Sequence, residues 1–303
     1  QNQAFLINKF RGDASLLGNA LEDLREKAFG VPTLGVVPFL QGLNIADEDA
    51  VVLDDVGETK DAQIDIAVIH LPHIANFDDF NPLKHTANVQ VRFVHDRAHL
   101  GNPDAIVLPG TKATMSDLVW LQQVGLDQAI LKACRAGTQV VGICGGYQML
   151  GRRLVDDLGV ESASSTVVDG LHLLPIETRF ELAKQTHQVC LKRMDGTQLQ
   201  GYEIHVGETT LDDGVDPFGV IIKRGGQSVY VLDGAVRVDK KVWGTYVHGV
   251  FDNDDFRQDW LTQLGWCWGE SDRALPDYDR LADAVDAAMD GDLLARILDL
   301  DGV

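Results

Sequence analysis

One segment constrains this chain more than any other: Val140-Val141-Gly142-Ile143-Cys144-Gly145-Gly146-Tyr147-Gln148-Met149-Leu150-Gly151. A β-branched, apolar run meets Gly-x-Cys-Gly-Gly and passes into a helical stretch. That order predicts a tight strand-to-helix turn with the thiol raised above a sheet, the sulfur counterpart of the G-x-S-x-G elbow. Glycines fit beside the cysteine because side chains there would clash in so sharp a turn. A helix opening at Gly145 or Gly146 aims N–H groups and its positive end at the sulfur, which favours the nucleophilic thiolate. The Gly145 N–H also lies where an oxyanion would form.

The rest of the pattern supplies the sheet. Strands are expected at Ile66 to Leu71, Val89 to Val94, Ala105 to Leu108 and Gln139 to Ile143, with helices at Ser116 to Gln123 and Asp127 to Arg135. Such alternation implies an α/β fold with a doubly wound, mostly parallel sheet. Beyond Glu161 the pattern changes to short strands and turns, such as Ser228 to Val231 and Val242 to Val247. Two helices are expected to close the chain, Phe256 to Leu264 and Tyr278 to Leu300. The second repeats Leu281, Val285, Met289, Leu293 and Ile297 at four-residue steps and reads as a packing helix.

The chain opens on a strand at Ala4 to Ile7, a helix at Ser15 to Lys27 with Leu16, Leu17, Leu21 and Leu24 on one face, and a strand at Val31 to Pro38. With nothing in front of it and no initiator Met, this unit reads as the end of a longer domain. The polar stretch Leu53 to Gln63 reads as a linker. The expected division is therefore 1–52, a linker at 53–63, and a second domain at 64–303.

Composition narrows the partners. Across 303 residues, 46 Asp and Glu face 26 Lys and Arg, a net charge of −20 that opposes phosphate backbones and anionic lipid. Neither nucleic acid nor membrane is expected. Cys134, Cys144, Cys190 and Cys267 form no C-x-x-C pair, so no metal site is expected. No apolar run reaches the length of a membrane span, and a reduced cytoplasm is the expected setting.

A cysteine nucleophile needs a base within hydrogen-bond reach, and that base usually comes from elsewhere in the sequence. Of nine histidines, two stand out. His248 ends the run Trp243-Gly244-Thr245-Tyr246-Val247 and precedes Gly249. His205 lies in Gly201-Tyr202-Glu203-Ile204-His205, where alternation puts Glu203 and His205 on one face. The residues alone choose neither.

Taken together, G-I-C-G-G-Y-Q-M-L-G, the upstream V-L-P-G-T-K and the downstream G-T-Y-V-H-G-V-F-D resemble the class I glutamine amidotransferase domain, in the branch found in cobalamin biosynthesis. Leu71-Pro72-His73-Ile74-Ala75-Asn76-Phe77-Asp78-Asp79-Phe80 is similar to the opening of that domain. Asn8-Lys9-Phe10-Arg11-Gly12-Asp13 and Gly35-Val36-Val37-Pro38 are similar to the end of the ATP-dependent, dethiobiotin-synthetase-like domain that precedes it. The resemblance implies a flavodoxin-like fold behind a synthetase remnant, with Cys144 as nucleophile and His248 as catalytic histidine. It also implies Gly110 and Gly145 as oxyanion donors and Gln148 alongside the glutamine. Related enzymes carry a Glu two residues after the histidine, but here, as in the cobalamin branch, that position is not acidic; it is Val250. Glu203 and Asp252 are the candidates to orient His248, with His205 a further accessory. Activity on a corrinoid would need ATP and Mg²⁺ at a synthetase site. The chain contains no G-x-x-x-x-G-K-[ST], and no cofactor is expected in it. Three alternatives stand beside this reading: a sister enzyme of the same pathway, an enzyme of cell-wall precursor amidation, and a binding module without catalysis.

Overall fold

A computed structural model describes residues 3–40, 62–162, 165–212, 214–267 and 278–298. The chain divides into two compact units, residues 1–46 with 274–303, and residues 47–273. All but the last two residues of the expected linker lie outside the described residues.

In the first unit, β1 (Phe5–Phe10) and β2 (Thr33–Pro38) pair in parallel. The helix expected from Ser15 to Lys27 is broken. Asp13 caps a short 3-10 turn at Ala14–Leu17, Gly18 takes a φ of +48°, and the α-helix proper is Ala20–Lys27. Leu16 is consequently exposed rather than part of an apolar face. The closing helix is also two helices, Tyr278–Ala288 and Gly291–Ile297. Between them Met289 bridges to Gly35, the Asp290 N–H donates to the Leu34 carbonyl, and the Asp290 side chain caps the second helix at Leu293 N–H. An Asp at that position ends one helix and starts another more readily than it continues either. A Cβ on Gly35 would fall 2.2 Å from the Ala288 carbonyl oxygen, so only glycine lets the helix end reach the strand. This segment therefore belongs with β1 and β2, not with residues 64–267 as the sequence reading had it.

The second unit opens with β3 (Ile64–Ile69), β4 (Val89–Val94), β5 (Ala105–Leu108) and β6 (Gln139–Ile143), all parallel. Side chains on these strands alternate between two cores. Ile64, Ile66 and Val68 pack in one with Ala105, Val107, Val141 and Ile143; Ala67, Ile69, Ile106, Leu108 and Val140 pack in the other. Both faces of the sheet are therefore covered, which is why these strands read as continuous apolar runs. Helices Thr114–Gln123 and Leu126–Ala136 cover the second face, and Asp254–Gln263 with Phe80 and Trp243 covers the first.

After β6 the chain builds a second sheet that the sequence reading had as short strands and turns. Strands β7 (Arg153–Asp156) and β8 (Thr166–Asp169) lead into a long hairpin of β9 (Ile176–Arg193) and β10 (Gln198–Leu211). Next come β11 (Gly219–Arg224) and β12 (Gln227–Asp233), antiparallel to their neighbours. The chain returns to the first sheet through β13 (Ala235–Val236) and β14 (Val242–Thr245), giving the order β13-β14-β6-β5-β3-β4. It then crosses to the second with β15 (Val247–His248), which pairs with β10. No helix among the described residues is long and apolar enough to cross a membrane.

Candidate active site

Cys144 sits where the elbow was expected, between β6 and the helix Gly145–Met149, with φ 52° and ψ −111°. A side chain rarely adopts that backbone, and such strain persists only when the surroundings over-determine it. They do so here. The Cys144 N–H is held by the Thr245 carbonyl at 2.8 Å, and a Cβ on Gly146 would meet the Leu108 carbonyl oxygen at 2.0 Å. The thiol donates to the Ile204 carbonyl of β10 at 3.5 Å.

His248 is almost fully buried, and its orientation comes from a residue outside the sequence-based candidates. Its Nδ1 lies 2.7 Å from Oδ2 of Asp79, whose Oδ1 accepts the Gly249 N–H at 2.8 Å. A carboxylate only accepts, so Nδ1 carries a proton, and Nε2 is the nitrogen that gains or loses one as the ring changes charge. Nε2 is buried and has no hydrogen-bond partner among the described residues, the thiol being turned to Ile204. The Tyr202 ring stacks on the imidazole at 5.1 Å between centroids, and Asn76 Nδ2 holds the Tyr202 hydroxyl at 2.7 Å. Burial alone would lower the pKa of His248. The charge and hydrogen bond of Asp79, with Cys144 adding to them, hold it well above the ordinary histidine value instead.

Glu203 and Asp252, the two residues read as possible partners for this imidazole, do other things. Glu203 is buried in an ion pair with Arg224, at 2.6 Å from Nε. Asp252 stands near Asp78 and Asp79, and burial followed by those two charges raises its pKa to about 6. Asp79 itself lies in Phe77-Asp78-Asp79-Phe80, between two aromatic residues, and Phe80 is fully buried beside it. A carboxylate drawn into a core by its neighbour was the signal available in the sequence.

Gly110 follows β5 in a loop that several bonds fix in place. Its carbonyl accepts from Ala75 N–H at 2.9 Å, and Asp117 holds both Thr111 Oγ1 and His73 Nδ1. A Cβ at Gly110 would lie 2.9 Å from Cε1 of His248, so glycine is required there for the ring to fit. The amides of Gly110 and Gly145 have no hydrogen-bond partner among the described residues. Gln148 is fully used within the protein. Thr114 Oγ1 donates to its Oε1, and its Nε2 donates to the Val206 carbonyl and the Tyr246 hydroxyl. It lines a cavity of about 350 Å³ together with Cys144, Glu161 and His205. His205 stacks flat on Tyr246 at 3.8 Å, with its Nδ1 buried and unpaired. Cys134 and Cys190 are buried elsewhere, and Cys267 is exposed. Its neighbour Trp268 lies outside the described residues.

Beneath the site, Asp233 accepts from Thr245 Oγ1 and Tyr246 N–H and anchors the step from β14 to β15. Burial raises its carboxyl from 3.8 to about 6, against those two hydrogen bonds. Between these values the folded chain keeps a proton that the unfolded chain has released. Stability from this group is therefore greatest below pH 3.8 and declines as pH rises to about 6. At ~1.4 kcal/mol per pH unit the decline is at most about 3 kcal/mol. Asp233→Asn is expected to remove that slope, as read from urea unfolding at pH 4 and pH 7.

A sequence profile described as the CobB/CobQ-like glutamine amidotransferase domain matches residues 65–256. A cobyric acid synthase from Sorangium cellulosum (strain So ce56) is 43% identical over 98% of this chain and 63% of its own length. One from Dehalococcoides mccartyi (strain CBDB1) is 42% identical over 98% of this chain and 61% of its own. The chain thus spans about three-fifths of the length of these curated relatives. A crystal structure of a glutamine amidotransferase superposes with a TM-score of 0.50 at 16% identity, covering 66% of this chain and 97% of the other, which shows the shared fold. A doubly wound sheet, a cysteine elbow at the expected strand and a profile match across most of the second unit agree: the chain belongs to the CobB/CobQ-like glutamine amidotransferase family.

Proposed function

We propose that this chain is the glutamine-hydrolysing part of a cobyric acid synthase, with Cys144, His248 and Asp79 as its reacting and positioning groups. The observation that carries the reading is the buried, unpartnered Nε2 of His248, held by Asp79 beside a thiol on a strained turn. The Cys144 thiol gives its proton to Nε2 and attacks the side-chain carbonyl of glutamine. The Gly110 and Gly145 N–H groups receive the oxyanion. Collapse of the tetrahedral adduct breaks the C–N bond, and His248 returns the proton to the departing ammonia. Water, deprotonated by Nε2, then hydrolyses the thioester to glutamate and frees the thiol.

The relatives' name supports the wider reading, in which the ammonia amidates carboxylates of a corrinoid. ATP and Mg²⁺ for that step belong, on this reading, to the part of the relatives' length beyond this chain. The residues here do not fit the nucleotide, because the sequence lacks a P-loop.

Exposure to a diazoketone analogue of glutamine, followed by peptide mass spectrometry, tests the proposal. The expected adduct is on Cys144. Adducts on Cys134 or Cys267 with Cys144 untouched would sink it.

A further inference from the structure

The cavity beside Cys144 contains a carboxylate to which the mechanism gives no task. Asp156, wholly buried, fixes the loop that carries it. It accepts the N–H groups of Val160, Glu161 and Ser162 and the Ser162 hydroxyl, all within 2.8–2.9 Å. The loop delivers Glu161 to the cavity wall, where Oε2 accepts the Met115 N–H at 3.0 Å. No cationic side chain among the described residues is paired with Glu161. Burial pushes its carboxyl up despite the hydrogen bonds from Met115 and Thr114. A half-buried carboxylate that is fixed by its own loop, faces the cavity and lacks a cation is a costly arrangement unless a ligand supplies the charge.

The rest of the lining suits a zwitterion. Glu161 is its one acidic residue and Lys112 its one ammonium, and the two are not paired with each other. His205, with its buried and unpartnered Nδ1, stands in the same wall. An amino acid whose side-chain carbonyl lies at Cys144 carries its ammonium and carboxylate into such a space.

We infer that Glu161 holds the α-ammonium group of the bound amino acid, so that the site selects free glutamine over glutamine acylated at its amino end, as in a peptide. This rests on the glutaminase reading above. An N-acyl group removes the charge and places an uncharged amide against the carboxylate.

The test compares labelling rates of Cys144 in the same chain by three reagents: the free-amine diazoketone analogue, its N-acetyl form, and iodoacetamide. In the unsubstituted chain the free amine is expected to react at least about tenfold faster than the N-acetyl form. Glu161→Gln keeps the shape and the acceptor for Met115 N–H. It should slow the free-amine reagent about ten- to hundredfold, bring the two analogues close together and leave iodoacetamide within about twofold. Glu161→Asp, which keeps the charge, should recover part of the preference. If Glu161→Gln preserves the full preference for the free amine, Glu161 is not the anchor, although the glutaminase reading stands. If neither analogue labels Cys144 in the unsubstituted chain while iodoacetamide does, the glutaminase reading fails and the anchor with it.

Discussion

Cys144→Ala is expected to lower glutamine hydrolysis by about 10⁴-fold or more, because no other group near the site can form the thioester. The change removes one sulfur atom and its long hydrogen bond to the Ile204 carbonyl, so stability should move by less than about 1 kcal/mol. Cys144→Gly separates chemistry from strain. It is equally inactive, but glycine accepts the φ of 52° without penalty, and a gain of about 1 kcal/mol is expected. Ammonia release and urea unfolding measure the two effects independently. Retained ammonia release in Cys144→Ala would move the nucleophile elsewhere. A loss of stability in Cys144→Gly would show that the elbow is not strained.

The second large effect is expected at Asp79. In Asp79→Asn the amide oxygen can still accept the Gly249 N–H, but the NH₂ group then faces Nδ1 of His248 as a donor. The imidazole is driven to carry its proton on Nε2, the wrong atom for taking one from the thiol. A loss of roughly 10²- to 10⁴-fold in kcat is expected, with a smaller change in KM. The pH profile should shift in a defined direction. Asp79 holds the His248 pKa up, so its removal brings the imidazolium's deprotonation to lower pH, and any limb that requires His248 protonated moves down with it. Stability follows the same sign. The pair's contribution is full below the unfolded histidine value of about 6.5, and it fades as pH rises through the elevated folded value. An Asp79→Asn variant with an unchanged kcat and pH profile would return Asp79 to a packing role.

The parallel core was legible because strands covered on both faces are apolar throughout. Val89–Val94, Ala105–Leu108 and Gln139–Ile143 therefore match the expected bounds to the residue. The β9–β10 hairpin was not legible. Its strands mix polar and apolar residues on both faces, as in Gln198-Leu199-Gln200-Gly201-Tyr202-Glu203, and their stability comes from pairing with each other. The same limit applies to the site. Cys144 and Gly145 are local features of one turn, whereas Asp79 reaches His248 across 169 positions, and no spacing rule encodes that distance. Glu203 was a reasonable candidate by alternation. Its partner Arg224 lies on β11, beyond the intervening β9, and a reading of single strands does not reveal that contact. The closing helices were misassigned for a related reason. Four-residue periodicity shows that a helix packs but not against what.

The spread of the three residues along the chain bears on how the protein is made. Asp79 leaves the ribosome before Cys144, and Cys144 before His248, and the imidazole is set only when β15 pairs with β10. Contacts of such long sequence separation form late in folding. A ribosome-bound chain ending before Asp252 would thus present a cysteine on its elbow with no fixed base beside it, and would release no ammonia until the last strand had docked.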